Sequence, residues 1–160
     1  IEFFWYGCPH CFHLEPYAKA WLAKPQADVD FWRSPAIFNP VWRLHAQAFY
    51  TAEALGIGEK VHAPMFEALA ANPRGLANAD EIAELFARFG VSRADFDDAW
   101  DSFGVGSALT QAEARQRSYR VTGTPTVIVN GKYRVTARSQ DQVFAVVDYL
   151  VAKERATLKK

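Results

Sequence analysis

Cysteine is scarce in this chain. Two of the 160 residues, Cys8 and Cys11, are the whole supply, which excludes a secreted scaffold stapled by several disulfides. The count also excludes a zinc centre built on two cysteine pairs, and His10, His13, His45 and His62 show no ligand spacing that would complete one. No metal is therefore expected, and no cofactor. Net charge is lacking too: 18 lysines and arginines offset 18 aspartates and glutamates. That balance argues against nucleic acid and against an anionic membrane surface as partners. No apolar run reaches the ~18 residues that span a bilayer, so the chain is not expected to be membrane-embedded. There is no repeat, no low-complexity tract and no signal peptide. The sequence opens at Ile1 inside a strand-like run, so an N-terminal piece, and any export signal with it, is expected to be missing.

What is present is a chain half apolar and 14% aromatic, enough for a sizeable core in one domain or in one domain carrying an insertion. Its organising stretch is Phe3-Phe4-Trp5-Tyr6-Gly7-Cys8-Pro9-His10-Cys11. An apolar run ends in glycine, two cysteines flank Pro-His, and a helical pattern begins. Residues i and i+3 share a helix face, and Pro9 suits the first turn, where its missing N–H is no loss. Cys8 then falls at or near the N-cap, its sulfur facing unpaired backbone N–H groups that favour an anion. A thiolate both attacks and leaves well, so Cys8 is expected to be the reactive cysteine, with His10 adding to the effect. Such cysteines drop from about 8.5 to roughly 3.5–7.5. Cys11, one turn further in, is expected to be less exposed and to resolve the exchange. A purely structural disulfide here would close a very short loop and do little for folding.

The rest of the chain reads in order. Ile1 to Tyr6 is a strand buried on both faces, with Glu2 the exception. Either Glu2 is frayed at the chain end, or it is a buried acid beneath the site that relays protons to Cys11. Pro9 to about Lys24 forms a helix, kinked at Pro16 and ended by Pro25. Val29 to Ser34 is a second strand with Phe31 and Trp32 on opposite faces; Arg33 is either a partner for Glu2 or a solvated strand end. Asn39-Pro40 opens a helix through about Leu55, stopped by Gly56. Glu59 to Ala71 is helical but interrupted by Pro64. Asn78 and Glu81 resemble a capping box before Ile82, Leu85, Phe86 and Phe89, and Ser92 opens a further helix with Phe96, Trp100 and Phe103. Gly104 and Gly106 are expected to break the chain before a polar helix from Ser107 to about Tyr119. His45 and His62 read as ordinary helix residues, and the aromatic stripes as core. Thr126 to Val129 and Lys132 to Val135 flank Asn130-Gly131, a strong hairpin signal. Ser139 with Gln142 begins a closing helix whose core face is Val143, Val147, Leu150 and Val151. The pattern is α/β.

Glu2-Phe3-Phe4 leading to Cys8-Pro9-His10-Cys11, with Thr122-Gly123-Thr124-Pro125 and Val129-Asn130-Gly131-Lys132-Tyr133 downstream, resembles the DsbA family. Ala54-Leu55-Gly56 and Ala99-Trp100-Asp101-Ser102-Phe103 fit the same pattern, so the likeness covers nearly the whole chain. Members of that family are periplasmic thiol:disulfide oxidoreductases, and they set the low end of the thiolate range quoted above. The resemblance implies a thioredoxin-like fold over 1–38 and 107–160, its short N-terminal strand absent, with an inserted helical domain over 39–106. It implies Cys8 as nucleophile, Cys11 as buried resolving thiol, Pro9 and His10 as the tuning dipeptide, and Glu2 as the buried acid. Gly123, Thr124 and Pro125 become the substrate-binding loop, with Pro125 cis and Thr124 adding a hydroxyl near the sulfurs, and Trp5 the apolar surface beside it. Reduced, unfolded proteins are the implied substrates and a DsbB-like membrane protein the implied re-oxidant. Two departures stand out: Arg33 replaces a lysine opposite Glu2, and arginine does not readily release a proton; Pro16 is closer to thioredoxin's own helix. Rival functions are a reductase or isomerase running the chemistry in reverse, a glutathione-dependent transferase or isomerase, against which Cys11 speaks, and a redox-silent peptide-binding module.

Overall fold

The computed structural model describes residues 1–24 and 26–158; Pro25, expected to end the first helix, lies outside them. The elements are β1 (Glu2–Phe4), α1 (Pro9–Leu22), β2 (Arg33–Pro35), α2 (Pro40–Ala54), α3 (Gly58–Ala71), α4 (Ala79–Ala87), α5 (Arg93–Trp100), α6 (Phe103–Ser118), β3 (Thr126–Val129), β4 (Tyr133–Arg134) and α7 (Val143–Leu158), with a 3₁₀ turn at Gln140–Gln142 before α7. The sheet order is β2-β1-β3-β4. β1 runs parallel to β2 and antiparallel to β3, and β3 pairs antiparallel with β4. This is the thioredoxin-like arrangement, with a run of helices between its early and late strands.

Local chemistry explains most element boundaries. Asn39 accepts from the Val41 and Trp42 amides, and Ser92 accepts from Asp95 N. Asn78 accepts from Glu81 N while the Glu81 carboxylate takes the Ala77 amide, a reciprocal cap. Asn130 and Gly131 both have positive φ, +48° and +68°, the two-residue turn whose twist matches a hairpin. Glu154 of α7 then ties the hairpin down, accepting from Lys132 at 2.6 Å and from the Tyr133 hydroxyl at 3.0 Å.

Several expectations give way. β2 begins at Arg33, not Val29, because the register pairs Glu2 with Arg33 and offers residues 29–31 no ladder partner on β1. Phe31 nevertheless packs against Trp21, while Trp32 lies under the Arg115 guanidinium. Pro64 does not interrupt α3; one lost backbone bond is carried by its neighbours. Gly104 and Gly106 lie inside α6 rather than before it. Ser102 caps that helix by accepting from Val105 N, and Val105 and Leu109 bury against Ala46. Those contacts offset the ~1 kcal/mol that each interior glycine costs. Ser139 makes no side-chain cap bond.

The sheet divides the core. Glu2 pairs with Val127 and Phe3 with Thr126, so alternation sends Phe3 one way and Glu2 and Phe4 the other. Phe3 joins Ile128 and Val121. Phe4 joins Tyr6, Cys8 and Cys11 in the largest cluster, which continues into Met65, Phe66, Phe86 and Phe96 of the helical block. The cysteine pair therefore stands where the strand–helix unit meets the helical block.

Candidate active site

Cys8 is the N-cap of α1, with extended backbone angles of −89° and 114°, and Pro9 follows it in the first turn. Its amide donates to Trp5 O and its carbonyl accepts from Phe12 N, both at 3.0 Å. That leaves the sulfur at the helix tip, 8% exposed, while Cys11 one turn on is fully buried. Both are free thiols. The Cys11 thiol hydrogen bond to Cys8 lowers the Cys8 pKa most; burial opposes it, and Thr124 and the Cys11 and His10 amides assist, bringing it to about 5. The same hydrogen bond, with burial and the Cys8 charge, pushes the Cys11 thiol far up. The two sulfurs are thus strongly unequal: one is ionised at neutral pH, the other holds its proton.

Across from them runs the Gly123-Thr124-Pro125 loop. The Thr124–Pro125 bond is cis, and the Thr124 carbonyl lies 3.5 Å from Cys8 Sγ. A Cβ built on Gly123 meets nothing within 4 Å, so this edge is open. His10 is exposed, and its carbonyl accepts from Gln140 Nε2 at 2.9 Å, which ties the first turn of α1 to the 3₁₀ turn before α7.

Trp5 forms the neighbouring wall. Its indole stacks on Trp42 at 4.2 Å and 11°. A Cβ on Gly7 would lie 2.4 Å from it, so glycine lets the ring fold back over the loop. Trp5 Nε1 donates to His45 Nδ1 at 3.0 Å, leaving His45 Nε2 to donate to Leu76 O at 3.1 Å. Burial lowers the His45 pKa, consistent with a neutral ring making both bonds. His45 therefore does more than fill a helix position: it fixes Trp5. Tyr6 is buried, and its hydroxyl sits 3.0 Å from His62 Nδ1.

Glu2 is not frayed; it is fully buried. Arg33 Nε lies 3.3 Å from its carboxylate, and Arg33 Nη2 lies 3.2 Å from Glu15. The Glu2 pair is close but misaligned, since neither Glu2 oxygen makes a hydrogen bond within the protein. Burial outweighs Arg33 and pushes the Glu2 pKa up to about 7. Glu15 behaves oppositely: burial alone would raise it, but His62 and Arg33 together lower it. Glu15 and His62, 3.2 Å apart, were not singled out from the sequence as site residues. Glu15 had one signal, its place four residues after Cys11 on the same helix face; His62, from α3, had none.

The strand order with a CxxC at the tip of its first helix puts the chain among thioredoxin-fold thiol:disulfide oxidoreductases. Comparison with known proteins agrees. The family model for the DSBA-like thioredoxin domain matches residues 42–150. The thiol:disulfide interchange protein DsbA of Pseudomonas aeruginosa is 40% identical over 163 aligned residues, covering all of this chain and 77% of that protein. Its counterpart in Pseudomonas syringae pv. tomato is 42% identical, covering 99% of this chain and 76% of that protein. The crystal structure of Pseudomonas aeruginosa DsbA superposes with a TM-score of 0.93 at 41% identity, covering 99% of this chain and 84% of that one. The chain belongs to the DsbA-like family of thioredoxin domains, and it is a thiol:disulfide oxidoreductase.

Proposed function

We propose that the chain is an exported protein-thiol oxidase, working in the periplasm, that donates the Cys8–Cys11 disulfide to reduced, unfolded proteins. A substrate thiolate attacks Cys8 Sγ, the S–S bond breaks, and the electron pair leaves on Cys11, which takes a proton. A second substrate thiolate attacks the substrate sulfur of the mixed disulfide and expels Cys8 as thiolate. Two substrate thiols become one disulfide; the pair gains two electrons and one proton, and the other proton goes to solvent. A DsbB-like membrane protein reverses the change in the pair. Among the described residues no helix is long and apolar enough to cross a membrane.

In this reading Pro9 and His10 tune the helix tip, and Glu2 manages protons beneath it. Gly123, Thr124 and Pro125 offer a free backbone edge to an extended substrate segment, and Trp5 supplies an apolar wall. The block 39–106 is an inserted helical domain that closes the site against 1–38 and 107–160. The observation that carries the reading is the inequality of the sulfurs, Cys8 at about 5 and Cys11 far higher. A thiolate comfortable in the reduced state makes the disulfide an oxidant.

Cys8→Ala is expected to cut oxidation of a reduced, unfolded protein to the uncatalysed rate; full activity in that variant contradicts the assignment. A redox titration followed by Trp5 fluorescence fixes the direction of flux. A potential well above thioredoxin's, about −270 mV, is expected, and a value near it makes the protein a reductase.

A further inference from the structure

Two bonds to one buried imidazole tie the loop that carries Cys8 to the helical block. His45 of α2 is 2% exposed. Its Nδ1 accepts from Trp5 Nε1 at 3.0 Å, and its Nε2 lies 3.1 Å from Leu76 O. A neutral ring with its proton on Nε2 makes both bonds at once. Leu76 has a φ of +52°, a left-handed conformation that a bulky residue adopts only where its surroundings hold it. The imidazole thus joins three segments: the β1–α1 loop through Trp5, α2 itself, and the α3–α4 turn through Leu76.

The other contacts of the Trp5 side chain leave one freedom open. An edge of the indole lies over Gly7, 2.4 to 2.8 Å from where a Cβ would stand. Its face stacks on Trp42 at 4.2 Å, and Trp42 meets Phe38 edge-on at 4.9 Å. Stacked aromatic rings tolerate a range of offsets, whereas a hydrogen bond is directional. The bond to His45 Nδ1 is therefore the contact that sets where the indole stops along Trp42. The main chain of the same residue holds the helix tip, since Trp5 O accepts from the Cys8 amide at 3.0 Å. The indole is half-buried and packs against the cluster that contains both cysteines, so its free part borders the approach to Cys8.

We propose that His45 is a positioning residue for protein substrates: by fixing the Trp5 indole it sets the wall against which the residues flanking a substrate cysteine lie while that cysteine attacks Cys8. The inference rests on the oxidase reading above and deepens the part played there by Trp5. His45 touches neither sulfur, and it is not among the donors that hold the Cys8 thiolate. What it governs is how tightly a substrate segment is held before exchange, not the exchange itself.

The test is single-turnover reduction of the oxidised chain by a dithiol peptide at varied concentration, followed as peptide disulfide formed. The half-saturating concentration and the limiting rate separate binding from chemistry. Two variants each lose one of the two bonds. His45→Gln carries an amide out to where Nε2 stands and keeps a donor for Leu76 O, but leaves Trp5 without its acceptor. His45→Asn carries an amide to where Nδ1 stands and keeps the acceptor for Trp5, but leaves Leu76 O without its donor. The expected half-saturating concentration is about fivefold higher in H45Q and within about twofold of native in H45N, with the limiting rate held in both. Equal rises in the two variants mark a purely structural role and overturn the proposal, as does no rise in H45Q or a fall confined to the limiting rate. Should H45Q fail to fold, the Trp5 indole N–H resonance decides, assigned by its loss in Trp5→Phe. Slow exchange with solvent, and a shift when a peptide is trapped on Cys8 in Cys11→Ala, support the proposal; fast exchange or no shift overturns it. A native chain that does not oxidise the peptide at all overturns the oxidase reading and this proposal with it, which separates that failure from one confined to the variants.

Discussion

Cys8 and Glu2 each place an ionisable group where water is scarce, and their surroundings move them in opposite directions. Cys8 falls to about 5 and Glu2 rises to about 7. The helix tip surrounds Cys8 with donors aimed at its sulfur: the Cys11 thiol first, then Thr124 and two amides. The sheet floor gives Glu2 the Arg33 guanidinium, misaligned and shared with Glu15. Burial is common to both sites, so it does not decide the charge. The number of aligned donors does, because each one replaces a lost water contact and a nearby cation without alignment replaces little.

The largest way to break this comparison is Arg33→Met. It removes the guanidinium from Glu2 and one partner from Glu15. The expected loss grows to about 3–5 kcal/mol as pH rises above 7, where Glu2 is ionised, read by denaturant unfolding, and it shrinks in acid where Glu2 is neutral. Equal loss at every pH contradicts the account. Next is Glu2→Gln. A carboxyl raised in the folded state binds its proton more tightly there than in the unfolded chain. Stability therefore falls as pH rises from the ordinary 4.5 through about 7, by up to about 3 kcal/mol. E2Q is expected to remove that slope; an unchanged slope places the responsible group elsewhere. The smallest effect is at Gln140→Ala, which deletes the bond to the His10 carbonyl. About 1 kcal/mol of stability is expected to go with no change in Cys8 ionisation, since Gln140 is not among the donors to the sulfur. A shift at Cys8 would mean that the 3₁₀ turn shapes the tip.

The same contrast governs what could be read from the sequence. Cys8, Pro9, His10 and Cys11 were legible because their chemistry follows from neighbours along one helix. So were the caps at Asn39, Asn78 and Ser92 and the Asn130-Gly131 turn. The α/β order and the Glu2–Arg33 pairing were also anticipated, the latter as one of two alternatives. The rest depends on contacts between distant elements. His62 has an unremarkable place in a helical pattern and gains meaning only when α3 lands on Glu15 and Tyr6. His45 matters because Trp5, forty residues away, donates to it. Gly104 and Gly106 suggested a break because the Ser102 cap and the Val105 burial that hold α6 together are not local propensities.

The central claim is that the reduced chain keeps Cys8 ionised at neutral pH. A direct test follows thiolate absorbance of the reduced protein as acid is added, with Cys8→Ala as the blank. A midpoint near pH 5 is the predicted result. A midpoint near an ordinary cysteine's, about 8.5, would contradict it.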